Sequence, residues 1–233
     1  MNKHKGSTLV IVLIVLILVT LIGAMGVRTG IFGLKLATNS QIQALLLESS
    51  NAALFNLEDP AQVERQVAGD GMYSYFDTDN NANDELVFCY RASQRQFFSM
   101  QNASAISPSG NVNKIGVTGF CKATQFATGR SAVLSQVYLK KNITEDDAEA
   151  FEHVPEGTGL GPSLDKLPVM NNSISATVIS VLPSFSSATN ERIEACFRAK
   201  RAEVSQCFRD LNIPFNTQHA DYIVGSQPKL VVS

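Results

Sequence analysis

The sequence predicts an α+β protein in which one long N-terminal α-helix, first transmembrane and then amphipathic, packs on an antiparallel β-sheet. Three observations predict this fold class. An apolar run opens the chain, the residues after it carry apolar side chains at helical spacing, and β-rich segments then alternate with turn clusters. The part of the chain beyond the helix has the length of one globular domain.

The opening run predicts a membrane-spanning helix. The segment 7–27 contains no charged residue. About 20 residues at ~1.5 Å each span the ~30 Å of bilayer hydrocarbon, so we expect the span over about residues 8–27. Lys3 and Lys5 precede it and only Arg28 follows closely, which predicts a cytoplasmic N-terminus. An ordinary secretory signal, which has a shorter apolar core, is the alternative.

Four glycines lie where this helix leaves the membrane: Gly23, Gly26, Gly30 and Gly33. Each costs up to ~1 kcal/mol in helix propensity relative to alanine, so we expect the helix to soften there. Gly26 and Gly30 also have the spacing that permits close packing of two helices. Softening is the preferred interpretation.

The helix then becomes amphipathic. Apolar or small residues recur at helical spacing, namely Ile42, Leu45, Leu46, Ser49, Ala52 and Ala53. We expect this stripe to cover one face of a sheet. Asp59 and Pro60 open a second, short helix that ends at Val67.

Six segments rich in β-branched and aromatic residues predict strands. They are Met72–Phe76, Glu85–Arg91, Gln96–Gln101, Ile115–Lys122, Val133–Lys140 and Ile174–Leu182. Turn clusters separate them, as hairpin loops would. The Gly- and Pro-rich stretch 153–173 predicts a surface loop.

Charge and motifs indicate neither nucleic acid nor catalysis. The net charge is −2, and the densest basic run, Arg192 to Arg209, is interleaved with acidic residues, which predicts a solvated helix face. The motifs GxSxG and HExxH are absent, and we predict no catalytic residue and no cofactor.

An acidic loop from Asp77 to Asp84 partly matches the first half of a calcium loop. Ala82 stands where that loop needs glycine, and Phe88 where it needs a bidentate glutamate. An acidic hairpin turn is the preferred interpretation. An incidental calcium site stays open, and no metal site is predicted.

Four cysteines lie beyond the apolar segment: Cys89, Cys121, Cys196 and Cys207. Their even number and the lack of a CxxC pair indicate disulfides in an oxidising compartment. In one continuous helix Cys196 and Cys207 would lie ~16 Å apart, whereas a disulfide needs Cα atoms within ~7 Å. Either the helix over 190–211 breaks between them, as the repeated Cys-Phe-Arg hints, or each pairs with Cys89 or Cys121.

The N-terminus resembles a type IV prepilin. A short basic leader ends in Gly6, and the apolar helix begins with Ser7-Thr8-Leu9-Val10-Ile11. The resemblance implies that a prepilin peptidase cuts between Gly6 and Ser7 and methylates the new terminal amine, so that the helix is retained.

The match is closer to PilX-type minor pilins, which the segments 6–13, 23–28 and 42–54 resemble, together with Thr20. This likeness covers about the first 55 residues. It implies a leader over 1–6, a pilin helix over 7–55 and a type IV pilin-like globular domain over 56–233. Pilins commonly close a C-terminal loop with a disulfide, so the resemblance favours Cys196 with Cys207 and Cys89 with Cys121.

Ile11 departs from the major-pilin pattern. In major pilins the fifth mature residue is a glutamate, thought to neutralise the terminal amine of a neighbouring subunit. Counted from Ser7, that position is Ile11, which offers no carboxylate to a subunit packed ahead of it. Because a buried unpaired charge is costly, this departure favours a place at the filament tip. A better membrane anchor is the alternative.

The resemblance implies a non-enzymatic minor pilin of the priming or tip complex that initiates type IV pilus assembly, supporting twitching motility, adhesion or DNA uptake. The implied partners are other minor pilins, the major pilin, the prepilin peptidase and the inner-membrane assembly platform. The implied location is the inner membrane, as a single pass with a periplasmic body, and then the pilus surface. A K-type pseudopilin of type II secretion and a tip-displayed adhesin or DNA-binding module are the alternatives.

Overall fold

The computed structural model describes residues 7–76, 78, 80–116, 119–129, 132–142 and 173–223. Gly6 and residues 153–172 of the predicted surface loop lie outside these ranges. The chain divides into two compact units, one ending at Ala44 and the other beginning at Leu45. Helix α1 (Ser7–Leu57) contributes to both.

The first unit consists of the apolar part of α1. The helix continues unbroken through its four glycines. Its hydroxyls bond to the preceding turn, with Thr20 donating to the Ile17 carbonyl at 2.8 Å and Thr29 to the Met25 carbonyl at 3.0 Å. The helix is long and apolar enough to span a membrane, with a mean hydropathy of 3.1 in its most apolar window.

The second unit is built on an antiparallel sheet of six strands in the order β3-β2-β1-β4-β5-β6. The strands are β1 (Glu85–Tyr90), β2 (Ser104–Ile106), β3 (Val112–Lys114), β4 (Leu134–Lys141), β5 (Ser173–Val181) and β6 (Phe215–Ile223). The strands predicted over 85–91, 133–140 and 174–182 are confirmed as β1, β4 and β5. The strands β2, β3 and β6 were not predicted.

Met72–Phe76 is helix α3 and not the predicted strand. Its buried residues Met72, Tyr73 and Phe76 share one helical face. The predicted strand over 96–101 is also wrong, because this segment forms turns that place Phe97 and Phe98 in the core.

The predicted strand over 115–122 is wrong as well, since none of its described residues lies in a strand. The Ile115 and Gly116 amides donate to the Ala103 carbonyl, and the Gly119 amide donates to Ser104 Oγ at 2.9 Å. A Cβ at Gly119 would lie 1.9 Å from the Val87 carbonyl oxygen, so this close approach requires glycine.

The helix predicted from Asp59 to Val67 is confirmed as a 3₁₀ turn followed by α2 (Val63–Val67). Asp59 Oδ1 accepts a hydrogen bond from the Ala61 amide at 3.0 Å, which caps the turn. Gln66 Nε2 donates to the Leu57 carbonyl at 2.7 Å. This bond satisfies one of the carbonyls that the end of α1 leaves open.

Both faces of the sheet are buried at its central strands β1, β4 and β5. One face packs against the last turns of α1 and against α3, through residues that include Leu86, Phe88, Val137 and Val178. The other face packs against α4 (Asn190–Phe197) and α5 (Arg201–Asp210), through Val87, Tyr138, Ile179 and Val181 among others. The sequence predicted a helix on one face only, and the structure adds this second helical layer.

Candidate functional site

The exposed apolar stretch of α1 is the candidate assembly surface. Its large apolar side chains from Leu9 to Ile22 are between 48% and 71% exposed. A helix that is apolar on all sides needs a nonaqueous environment, either lipid or protein. Within the described chain nothing covers this stretch, so its environment must come from a membrane or from other molecules.

The position of Ile11 falls inside this stretch, where the side chain is 57% exposed. The first acidic residue of the chain is Glu48. The whole first unit therefore offers no carboxylate that could meet a buried amine. Ser7 is the first described residue and lies in the helix, whereas its neighbour Gly6 lies outside the described ranges.

The glycines Gly23, Gly26, Gly30 and Gly33 recur at intervals of three and four residues, which places them on one face of α1. A Cβ built on any of them meets no atom within 4 Å. Within the described chain no packing contact therefore requires glycine at these positions. Their conformational freedom or an outside neighbour must account for them.

A chain of buried serine hydroxyls joins α1 to the sheet inside the second unit. Ser49 Oγ lies 2.8 Å from Ser135 Oγ on β4, and Ser50 Oγ lies 2.7 Å from Ser180 Oγ on β5. Ser135 and Ser180 are themselves 2.7 Å apart. Because each hydroxyl both donates and accepts, the four form one continuous chain within an otherwise apolar interface.

The structure pairs Cys196 with Cys207 and Cys89 with Cys121, the two pairs that the resemblance favoured. The segment over 190–211 breaks between Phe197 and Arg201, so that α4 and α5 form a helical hairpin. The Cα atoms of Cys196 and Cys207 are 5.6 Å apart.

The phenylalanines next to these two cysteines also meet. The ring centroids of Phe197 and Phe208 lie 4.9 Å apart, edge to face. The repeated Cys-Phe-Arg is thus the seam of the hairpin.

A buried polar group holds the hairpin to the sheet. Gln136 Nε2 donates to the Phe197 carbonyl at 2.7 Å, and the Tyr138 hydroxyl donates to the same oxygen at 2.9 Å. Gln136 Oε1 accepts from the Cys121 amide at 2.8 Å. Complete burial raises the pKa of Tyr138 well above its usual range, which keeps the phenol a neutral donor.

A second polar chain crosses the sheet at the N-terminus of α5. The Arg201 amide donates to Glu85 Oε2 at 3.0 Å, so a side chain of β1 caps this helix. Arg201 Nη1 donates to Thr177 Oγ1 at 3.0 Å. The same Oγ1 lies 3.0 Å from His219 Nδ1, whose Nε2 is 3.5 Å from Asp221 Oδ1.

In the sequence His219 and Asp221 look like a chance pair, but residues two apart on a strand share a face. Thr177 is 4% exposed and already engages Arg201. We therefore interpret this chain as a structural connection between β5, β6 and α5.

Several basic residues of the run from Arg192 to Arg209 are engaged within the chain. The guanidinium carbon of Arg209 lies 5.9 Å from the centre of the Phe215 ring, and Arg209 Nη1 donates to Gln206 Oε1 at 2.8 Å. Lys200 Nζ donates to the Pro108 carbonyl. These contacts favour a structural role for these basic side chains over a role in binding nucleic acid.

In the acidic loop, Asp77 and Asp79 lie outside the described residues. Asp84 is buried, and its Oδ2 accepts a hydrogen bond from the Tyr75 hydroxyl at 2.7 Å. Burial, and then the bond to Asp84, raise the pKa of Tyr75. Among the described residues no cluster of three or more His, Cys, Asp or Glu side chains could hold a metal ion.

Comparison with known proteins found no relative of this chain. No family model matches the chain, and neither a curated protein nor a solved structure matches it.

Proposed function

We propose that this chain is a minor pilin of a type IV pilus and takes part in the priming or tip complex that initiates pilus assembly. The observation that carries the proposal is the exposed apolar stretch of α1, preceded by the basic leader that ends in Gly6. A helix of this kind anchors a subunit before assembly. It then packs among the equivalent helices of its neighbours.

The second unit supports the proposal through its architecture. A helix that leaves the apolar stretch and lies on one face of an antiparallel sheet is what the resemblance to type IV pilins implies. The two disulfides fit a domain that works outside the cytoplasm. In this proposal the N-terminus is cytoplasmic and the second unit is periplasmic.

The absence of any acidic residue before Glu48 supports a terminal place in the filament. A subunit that has no carboxylate in its apolar helix cannot neutralise the amine of a subunit packed ahead of it. We therefore assign this chain to the tip. A K-type pseudopilin of type II secretion would share the trait, and a deletion strain that keeps its pili but loses secretion would favour that function.

The proposal is tested by mass spectrometry of the protein isolated from the membranes of the cells that make it. The expected mature chain begins at methylated Ser7. A chain that keeps Met1, or one that begins near Val27, contradicts prepilin processing. The variant Gly6→Leu should block cleavage, whereas the matched change Lys5→Leu alters the leader without altering the cleavage site and should still yield methylated Ser7.

A further inference from the structure

A cavity in the second unit, on the side of the sheet that carries α4 and α5, supports a further inference. It has a volume of about 320 Å³ and is lined by residues of β1, β2 and β4, by the turn after β2 and by Lys200, which precedes α5. All the residues that line it belong to the described ranges. Its volume is at the lower end of the range for small-molecule pockets, ~300–1,000 Å³.

Lys140 gives the cavity an ammonium group that has no partner among the described residues. It follows Leu139, which pairs with Leu86, so its cross-strand neighbour is Glu85. Side chains alternate along a strand, and Tyr138 packs under the hairpin, so Lys140 lies on the same face of the sheet. Lys140 is half-buried, yet no described side chain forms a hydrogen bond or an ion pair with it.

The carboxylate of Glu85 engages α5 instead of Lys140. Its Oε2 accepts a hydrogen bond from the Arg201 amide at 3.0 Å, and its Oε1 lies 3.9 Å from Arg201 Nε. Among the residues that line the cavity, Glu85 is the only acidic one. Because Arg201 balances its charge, the lysines of the cavity remain uncompensated.

Lys200 supplies the second ammonium group. Its Nζ donates to the Pro108 carbonyl, which holds the side chain against the turn between β2 and β3. An ammonium group has three protons, so two remain for a ligand. Asn83 also lines the cavity, and its side-chain amide makes no hydrogen bond within the described chain, which adds a neutral donor.

Apolar groups line the cavity beside the lysines. They belong to Ile106, which is 1% exposed, and to Pro108. A ligand that matches this lining is anionic at one end and apolar at the other. A phosphate monoester carries a charge of about −1.5 to −2 near pH 7, which matches two ammonium groups better than the single charge of a carboxylate does.

We propose that this cavity binds a small, soluble organic phosphate monoester. Its phosphate contacts Lys140 and Lys200, and its organic part lies against Ile106 and Pro108. Hydrogen bonds between ammonium and phosphate groups are stronger than those between neutral groups, so the lysines supply most of the affinity. This inference is independent of the proposed function, because it rests on the second unit alone.

Isothermal titration calorimetry of the full chain in nonionic detergent micelles tests the proposal, with phenyl phosphate as the probe. Benzoate, which carries one negative charge, and inorganic phosphate, which has no apolar part, are the comparison compounds. Phenyl phosphate should bind with one-to-one saturation and about 10-fold or more tighter than either of them. The absence of saturable binding, or equal affinity for phenyl phosphate and either comparison compound, would overturn the proposal.

A matched pair of lysine variants locates the site. Lys140→Gln removes a charge that has no partner in the described chain, and Lys122→Gln removes an exposed lysine outside the cavity. The affinity for phenyl phosphate should fall about 10-fold or more in Lys140→Gln and stay within about twofold in Lys122→Gln. Equal affinities in the two variants would show a general attraction of anions to the surface and would overturn the proposal.

Two controls complete the test. Thermal unfolding shows whether Lys140→Gln is folded, and if it is not, Lys200→Gln takes its place against the same Lys122→Gln control. Dioleoylphosphatidic acid added to the micelles presents a phosphate monoester on a lipid. It should leave the affinity for phenyl phosphate unchanged, and competition would overturn the soluble ligand in favour of a lipid headgroup.

Discussion

The buried amide of Gln136 serves backbone groups from two distant parts of the chain, the Cys121 amide and the Phe197 carbonyl. A buried backbone group without a partner costs ~1–3 kcal/mol. Gln136→Leu leaves the Cys121 amide unpaired, so we expect the free energy of unfolding to fall by about that amount. Tyr138→Phe should cost about 1 kcal/mol or less, because Gln136 still satisfies Phe197.

Chemical denaturation of the full chain in detergent micelles measures both changes. Near-UV circular dichroism reports the second unit, since the ring contacts among the described residues lie there. An equal loss in the two variants would show that Gln136 has no special role.

At the level of single residues, the sequence did not show that Gln136 is buried and bonds to two backbone groups. A glutamine within a strand is usually taken for a solvent-facing position, and only the arrival of α4 over β4 makes it buried. The contacts of Thr177 with Arg201 and His219 were also missed, because they depend on how α5 packs on the sheet and on the pairing of β5 with β6, which was not predicted as a strand. The cysteines were easier, since covalent chemistry leaves few pairings.

Among the elements, β1, β4 and β5 were predictable because they are rich in β-branched, aromatic and other apolar residues and lie between turn clusters. The strand β6 reads Phe-Asn-Thr-Gln-His-Ala-Asp-Tyr-Ile, which is too polar to signal a strand without its neighbour β5. The aromatic run Met72–Phe76 gave the opposite error, because it was predicted as a strand and is a helix. Its period is helical, but five residues are too few to separate the two patterns.

The glycines of α1 allow their two interpretations to be separated by experiment. Replacing Gly23, Gly26, Gly30 and Gly33 by alanine should strengthen the helix by up to ~1 kcal/mol at each site. Alanine is still small enough for close helix packing, and its Cβ meets nothing in the described chain. If the chain is a pilin, as we propose, and softening matters, the fourfold alanine variant should enter pili less than the wild-type chain does.

The change Gly26→Leu tests the packing interpretation. Leu21→Ala is its control, because Leu21 lies outside the helix face that carries the four glycines. Loss of assembly in Gly26→Leu together with normal assembly of the fourfold alanine variant would favour close packing. Immunoblotting of sheared pili against total membranes measures both outcomes, and circular dichroism of the purified chains checks helicity.

The helical hairpin should depend on its disulfide. The Cys196–Cys207 loop closes 11 residues and the Cys89–Cys121 loop 32. The loop-closure relation gives about 3 and about 4 kcal/mol of stabilisation, respectively. We expect Cys196→Ser with Cys207→Ser to lower the free energy of unfolding by about 3 kcal/mol, with faster proteolysis of the hairpin than of the sheet.

Limited proteolysis followed by peptide mass mapping checks this result. The matching double variant of Cys89 and Cys121 should instead expose the segment between β3 and β4. Early cuts at the same sites in both double variants would contradict independent roles for the two disulfides.

Burial affects the titration of every tyrosine in the chain. The pKa values of all five are raised, chiefly by burial: Tyr73, Tyr75, Tyr90, Tyr138 and Tyr222. A tyrosine whose pKa is higher in the folded than in the unfolded chain stabilises the fold fully below the unfolded pKa of ~10. That contribution declines as pH rises above ~10 toward the folded value.

We therefore expect less tyrosinate absorbance near 295 nm at pH ~10.5 in the native chain than in the chain unfolded by urea at the same pH. Above this pH the absorbance should rise together with the loss of near-UV circular dichroism. Tyrosinate that forms at pH ~10 while the fold persists would contradict the burial of these side chains.

The serine chain between α1 and the sheet has a mechanical consequence. If tension is applied along α1, the contacts of Ser49 with Ser135 and of Ser50 with Ser180 share the load, because both join the helix to the sheet within two adjacent residues. A slide of one residue, ~1.5 Å along the axis and a turn of ~100°, would separate both contacts together. The joint should therefore yield abruptly rather than creep, so the sheet follows the helix rigidly up to a threshold force.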